Sequence, residues 1–262
     1  MGQLSKTHNK TVNGACGWAK ENILNPKILE KFINTDEELS PHKGYLDSIT
    51  TPSVDISFSS DEAKDYESRF GGTPLVSKEF VWPTHEEGEY RFLGQINFSE
   101  ISNCPELLPK SGLLSLFYAY DEDGEIFWGD DGYVVGHFYP DITDLNLYEP
   151  GCVNHKTKKI LLSSGIEIPR HEGLRKDWPF DTEALYDLSN LESYPEDYIL
   201  GYPSFCTLAY DPTPSDEWVS LLTLTSYDEF EWCWHDGDKL MIFIEQEKLK
   251  NSDFSSLKAD AG

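Results

Sequence analysis

Trp218-Val219-Ser220-Leu221-Leu222-Thr223-Leu224-Thr225-Ser226-Tyr227 and Leu240-Met241-Ile242-Phe243-Ile244-Glu245 are two apolar runs with Asp236-Gly237 between them. Each run is short, rich in β-branched and aromatic residues and bounded by turn formers, which is the pattern of strands buried in a sheet. An Asp-Gly pair supplies the positive backbone angles that a tight hairpin turn demands. The same grammar recurs upstream. Leu113 to Tyr120 leads through Asp123-Gly124 to Ile126–Trp128, and Asp131-Gly132 then precedes Tyr133 to Tyr139. Further runs stand at Arg91 to Phe98, Ile160 to Ser163 and Phe230 to Trp234. These spacings predict an α+β fold, predominantly β, with roll- or barrel-like antiparallel sheets.

The two ends of this β-rich stretch echo one another. Gly72-Thr73-Pro74 precedes Leu93-Gly94-Gln95-Ile96-Asn97-Phe98, and Gly201-Tyr202-Pro203 precedes Leu222 to Tyr227, with the same 21-residue offset from glycine to leucine. Each half next offers an acidic turn, Phe127-Trp128-Gly129-Asp130-Asp131-Gly132 in one and Cys233-Trp234-His235-Asp236-Gly237-Asp238 in the other. Two β units of this kind, over about 68–140 and 198–250, predict an internal duplication around one shared core. Residues 1–53 read as an extension with one helix, in which Asn25 caps, Pro26 opens the helix, and Ile28, Leu29, Phe32 and Ile33 share a face. Thr35 to Ser53 reads as loop, with the main domain over 54–262, and Asp181 to Leu188 reads as a short helix.

Charge narrows the function. The chain carries 47 acidic and 21 basic residues, and residues 61–262 alone hold 40 against 15. Such a body repels phosphates and anionic headgroups, so neither nucleic acid nor membrane is an expected partner. Solubility accounts for this charge in one reading, and a basic protein partner steered by the field accounts for it in another. No run is long and apolar enough for a membrane span and no signal segment is visible at the start, so a cytoplasmic location is expected. Cys16, Cys104, Cys152, Cys206 and Cys233 are scattered without C-x-x-C spacing, and the seven histidines show no paired spacing. A disulfide framework and a metal site are therefore not expected, and no motif calls for a cofactor.

Several motifs follow one another in a fixed order along the chain. They run from Ser68-Arg69-Phe70-Gly71-Gly72-Thr73-Pro74 through Trp82-Pro83 and Phe92-Leu93-Gly94-Gln95-Ile96 to Leu108-Pro109, Gly112-Leu113-Leu114 and Trp128-Gly129-Asp130. In the second half stand Leu200-Gly201-Tyr202-Pro203, Trp218 with Leu221-Leu222, Leu240 to Ile244, and Asp253-Phe254-Ser255. In this order the motifs resemble the YwqG-like family, a bacterial family of unknown function; Thr223 stands where that family often has glutamine, and Trp234-His235-Asp236 where it often repeats Trp-Gly-Asp. The resemblance implies a β-rich roll or barrel and carries over no catalytic residue.

Chemistry-bearing residues concentrate in the two acidic turns. Trp128, Asp130, Asp131, Trp234, His235, Asp236 and Asp238 are the candidate binding residues. No G-x-S-x-G elbow, phosphate loop or calcium loop occurs, and Asp-Gly turns satisfy hairpin geometry without a ligand. Trp82, Trp128, Trp178, Trp218, Trp232 and Trp234 read mainly as core, with Trp232 and Trp234 on one face of a strand. The leading expectation is a non-enzymatic protein-binding or regulatory module of immunity type. Its rival is a hydrolase whose cleft, between the two β units, would use Asp130, His235 and Asp236.

Overall fold

The computed structural model describes residues 37, 40–149, 156–169, 171, 174, 177, 179, 195–205 and 207–262. The helices expected at Asn25–Ile33 and Asp181–Leu188 lie outside them, as do Cys16, Cys152, Cys206, His8, His155 and Trp178. Within the stretch read as loop, Lys43–Ile49 forms helix α1, which buries Leu46 and carries a Lys43–Asp47 pair at 2.8 Å, one helical turn apart. That i,i+4 spacing places both side chains on one helix face, a contact that Pro41 and Gly44 obscure in the sequence.

Among the described residues, ten strands make one antiparallel sheet: β1 (Thr51–Phe58), β2 (Arg69–Gly71), β4 (Glu89–Asn97), β5 (Leu113–Tyr120), β6 (Val134–Tyr139), β8 (Thr157–Glu167), β9 (Asp197–Leu200), β10 (Trp218–Thr225), β11 (Lys239–Glu245) and β12 (Leu257–Ala261). Two further strands, β3 (Leu75–Val76) and β7 (Asn146–Leu147), form a small separate pair. Across the main sheet the order is β12-β11-β10-β9-β1-β8-β2-β4-β5-β6. The outermost strands, β6 and β12, lie side by side, so the sheet curls into a nearly closed barrel. A closed sheet leaves almost no free edge, which suits a chain so dominated by strands.

The order is palindromic about the central β1–β8 pair. On one side run β2, β4, β5 and β6, and on the other β9, β10, β11 and β12. Local devices repeat with it. A bulge follows Phe92 and skips Leu93 in β4, and a bulge follows Ser220 and skips Leu221 in β10. Both short strands end in a left-handed pair, Gly71-Gly72 (φ +64° and +78°) and Leu200-Gly201 (φ +62° and +75°). The Ser68 hydroxyl accepts the Asn97 N–H at 2.8 Å, and the Asp197 carboxylate accepts the Thr225 N–H at 2.7 Å. Pairing sets Gly94 opposite Phe70 and Leu222 opposite Ile199, so the bulged Leu93 corresponds to Leu221 and not to Leu222.

Inward residues fill the barrel. Val54, Ile56, Phe70, Ile96, Leu114, Leu116, Ile160, Ile199, Leu224, Leu240, Ile242 and Ile244 belong to one buried cluster. Outside it, Met241 and Phe243 pack with Phe205 in a second, smaller cluster. The unbroken Leu240–Ile244 run follows from this, since a strand covered on both faces has no polar side. On the other half the outer face is covered by Phe80 and Trp82, which meet Phe117 at ring distances of 5.6 and 5.1 Å. Buried Arg69 ties down the 59–67 segment by donating to the carbonyls of Lys64, Asp65 and Glu67, and Gln95 Nε2 adds bonds to Asp65 and Glu67. Burial draws the Arg69 pKa down to about 10, opposed by Asp65, so the guanidinium is still charged at neutral pH.

Neither Ile126–Trp128 nor Phe230–Trp234 is a strand. Phe230, Trp232 and Trp234 are buried while Glu231 and Cys233 are exposed, an alternation that imitates a strand. The backbone is not extended there. Asp228–Phe230 is a 3₁₀ turn, and Glu231 (φ +60°) and His235 (φ +51°) are left-handed, which prevents a ladder.

Candidate functional site

Because β1 and β8 are antiparallel, the two halves run in opposite senses along the barrel. The β5–β6 connection, residues 121–133, therefore meets the β10–β11 connection, residues 226–238, at one end. Trp128 and His235 pack with ring centroids 5.6 Å apart, and Trp234 Nε1 donates to the Tyr133 hydroxyl at 3.0 Å. At the other end the β4–β5 and β11–β12 connections, residues 98–112 and 246–256, meet through Phe98 and Phe254, 6.1 Å apart. We call these the indole end and the phenyl end. The two acidic turns are thus not equivalent places in the two halves. One joins the third and fourth strands of its half, the other the second and third.

Aromatic rings close the indole end from within. Trp232 and Trp234 are 2% and 3% exposed, with centroids 5.1 Å apart, and Phe230 stacks on Trp232 at 4.4 Å. Tyr118 packs edge-on to Trp234 at 6.2 Å, and burial pushes its pKa up to about 12 against the opposing effects of Arg91 and Trp232. Burial likewise raises Tyr133, opposed by its bond from Trp234. Both phenols stay neutral donors and acceptors at physiological pH. Arg91 lies 3.3 Å from the centre of the Tyr120 ring and 3.0 Å from the Glu89 carboxylate.

The candidate residues separate by burial. Trp234 is a core side chain, so it holds the end shut and offers no surface for a partner. Its neighbours are outward. His235 is half-buried, with Nδ1 3.4 Å from Asp238 and 3.8 Å from the almost fully exposed Asp236. Asp238 also accepts the Thr207 hydroxyl at 3.0 Å. Asp130 is exposed, yet its carboxylate accepts the Phe127 N–H at 2.9 Å and so shapes its own turn. Asp131 pairs loosely with Lys258 at 3.6 Å. Trp128 is half-buried against the core, and Phe127 beside it is 56% exposed. Among the described residues, no group of three or more His, Cys, Asp or Glu side chains is placed to hold a metal ion.

Sequence reasoning missed Phe127, Arg91, Tyr118 and Tyr120 as parts of this end. A charged residue within the apolar run from Arg91 to Phe98 was the available signal for Arg91.

A model for DUF1963, a domain of unknown function, matches residues 68–260. The chain belongs to the DUF1963 family. No curated protein matches it. The DUF1963 span opens on β2 and takes in the rest of the barrel, but β1 lies before it and still occupies the centre of the sheet between β8 and β9. Strand β1 thus completes a DUF1963 barrel from outside the matched segment. No helix among the described residues is long and apolar enough to cross a membrane.

The two ends of the DUF1963 barrel differ in charge. Loops 121–133 and 226–238 contain eleven acidic side chains and no lysine or arginine, and none of the eleven is buried. Loops 98–112 and 246–256 contain four acidic and three basic side chains.

Proposed function

We propose that this DUF1963 protein is a non-enzymatic, cytoplasmic protein-binding module of immunity type, which docks a basic protein partner on the acidic loops of its indole end. The observation that carries this reading is the contrast between the loop pairs at the two ends. Eleven carboxylates without an intervening Lys or Arg on two adjoining loops concentrate a negative potential, and such a potential raises the association rate of cations and repels phosphates. Support against the hydrolase alternative comes from geometry. Asp130 is committed to its own turn, and His235 Nδ1 stands beyond hydrogen-bond reach of Asp236. The reading includes an internal duplication of the β2-β4-β5-β6 and β9–β12 units, supported by the palindromic order and the matched bulges.

Charge-matched variants test the docking. One set neutralises the indole end (Glu122→Gln, Asp123→Asn, Asp131→Asn, Asp236→Asn), and the other neutralises the phenyl end (Glu100→Gln, Glu106→Gln, Glu247→Gln, Asp253→Asn). Association of a polylysine peptide at low salt should slow about tenfold in the first set and change little in the second. Duplex DNA should bind neither. An equal loss in both sets would return the acidity to a solvating role and end the docking proposal.

A further inference from the structure

The barrel holds its own cations in a repeated way. Arg91 lies over Tyr120 with Glu89 alongside, Lys158 lies 5.9 Å from the Phe58 ring centre with Glu229 at 3.3 Å, and Lys258 lies 5.9 Å from the Trp218 ring centre with Asp131 at 3.6 Å. Each stands between one aromatic ring and one carboxylate, closely for Arg91 and loosely for Lys258. The Phe127–Trp128 corner offers the same two components on the surface: two rings 6.1 Å apart and nearly perpendicular, with Asp130, Asp131 and Asp236 exposed on the loops around them. No lysine or arginine among the described residues lies over either ring.

Building on the docking proposal above, we propose that this corner is a clamp for an arginine side chain of the basic partner, with Phe127 and Trp128 as the aromatic faces and Asp236 as the neighbouring carboxylate. Charge complementarity selects a cation, and the rings select its kind. A guanidinium is planar and more weakly hydrated than an ammonium, so it gives up less water to lie on a ring. The barrel itself shows the difference, since Arg91 sits 3.3 Å from a ring centre, whereas Lys158 and Lys258 sit 5.9 Å away. The turn is braced for such a load. Asp130 and Phe127 exchange two hydrogen bonds, the Asp130 N–H to the Phe127 carbonyl at 3.0 Å and the Phe127 N–H to the Asp130 carboxylate. Trp128 is held from behind by His235 and the core. An anchor fixed before binding loses little entropy when it engages.

The test titrates the full chain, with its tryptophan indoles labelled for NMR, with three peptides of equal length that alternate glycine with arginine, lysine or citrulline. The arginine peptide should bind about two- to fivefold more tightly than the lysine peptide, the span of an exposed cation–π contact, and should shift the Trp128 indole signal. Citrulline should not bind. Trp128→Leu and Phe127→Ala should each reduce the arginine preference while leaving lysine binding in place, and Phe127 is exposed enough for its removal to leave the fold intact. Equal affinity for arginine and lysine peptides, or a preference that survives both substitutions, would overturn the clamp and leave the docking proposal standing. Failure of both cationic peptides to bind would overturn the two together.

Discussion

The indole end and the phenyl end close the same barrel with the same kind of material and face solvent in different ways. At the phenyl end Phe98, Phe138 and Phe254 pack together with centroid distances of 5.2 to 6.1 Å, and loops of mixed charge cover them. At the indole end Phe230, Trp232 and Trp234 do the closing, and the loops above them are purely acidic among their charged residues other than His235. Closure therefore needs buried rings and is indifferent to the charge of what covers them. The acidity is a separate property laid over one of two comparable lids, which is why it carries a functional proposal.

The comparison breaks first if the lids differ in structural weight. Trp232→Ala and Phe98→Ala should each cost about 3–5 kcal/mol, measured by urea unfolding, because each empties a fully buried aromatic site. A near-neutral Trp232→Ala would mean that the indole end is not core and that its charge cannot be discussed apart from its packing. A smaller effect sharpens the contrast. Trp234→Phe should cost about 1 kcal/mol, since it removes the bond to Tyr133 and leaves that hydroxyl buried without it, while most of the ring packing is kept.

The smallest expected effect concerns matched positions in the two halves. Burial raises the Asp197 pKa, more than the lowering by Tyr227 and Thr225 can offset, whereas the matching acceptor in the first half is the uncharged Ser68. The folded pKa lies above the unfolded one, so the native state binds the proton more tightly. Its contribution is greatest at acid pH, falls as pH rises through the window above the ordinary aspartate range, and remains a cost at neutral pH. Asp197→Asn keeps an acceptor for the Thr225 N–H and removes the charge. Urea midpoints from about pH 4 to about pH 7 should fall less steeply in this variant than in the parent protein. An unchanged slope would show that Asp197 titrates alike in both states.

Much of the fold was legible in the sequence. The runs at Leu113–Tyr120, Trp218–Tyr227 and Leu240–Glu245 fall almost residue for residue on β5, β10 and β11, because long strands covered on one or both faces announce themselves through their apolar side chains. Strands of two to four residues, β2, β3, β7 and β9, carry too few positions for any period, and their pairing is fixed by neighbours distant in the chain. Of the candidate site, the turns were legible through Asp-Gly and Asp-Asp-Gly, and so were their acids. The Phe230–Trp234 run was misread as a strand because Phe230, Trp232 and Trp234 alternate with Glu231 and Cys233 as they would in one, although left-handed residues break the backbone; the core reading of Trp232 and Trp234 is correct.

By itself the sequence determined the β-rich class, the strong excess of carboxylates and the acidic turns around Asp130-Asp131-Gly132 and Asp236-Gly237-Asp238, since these follow from composition and local backbone preference. Only the tertiary structure decided that these two turns share an end. Local resemblance suggested that they are equivalent parts of two repeats. Antiparallel pairing of β1 with β8 reverses one half against the other, so loops of different rank are brought together and their charges add in space.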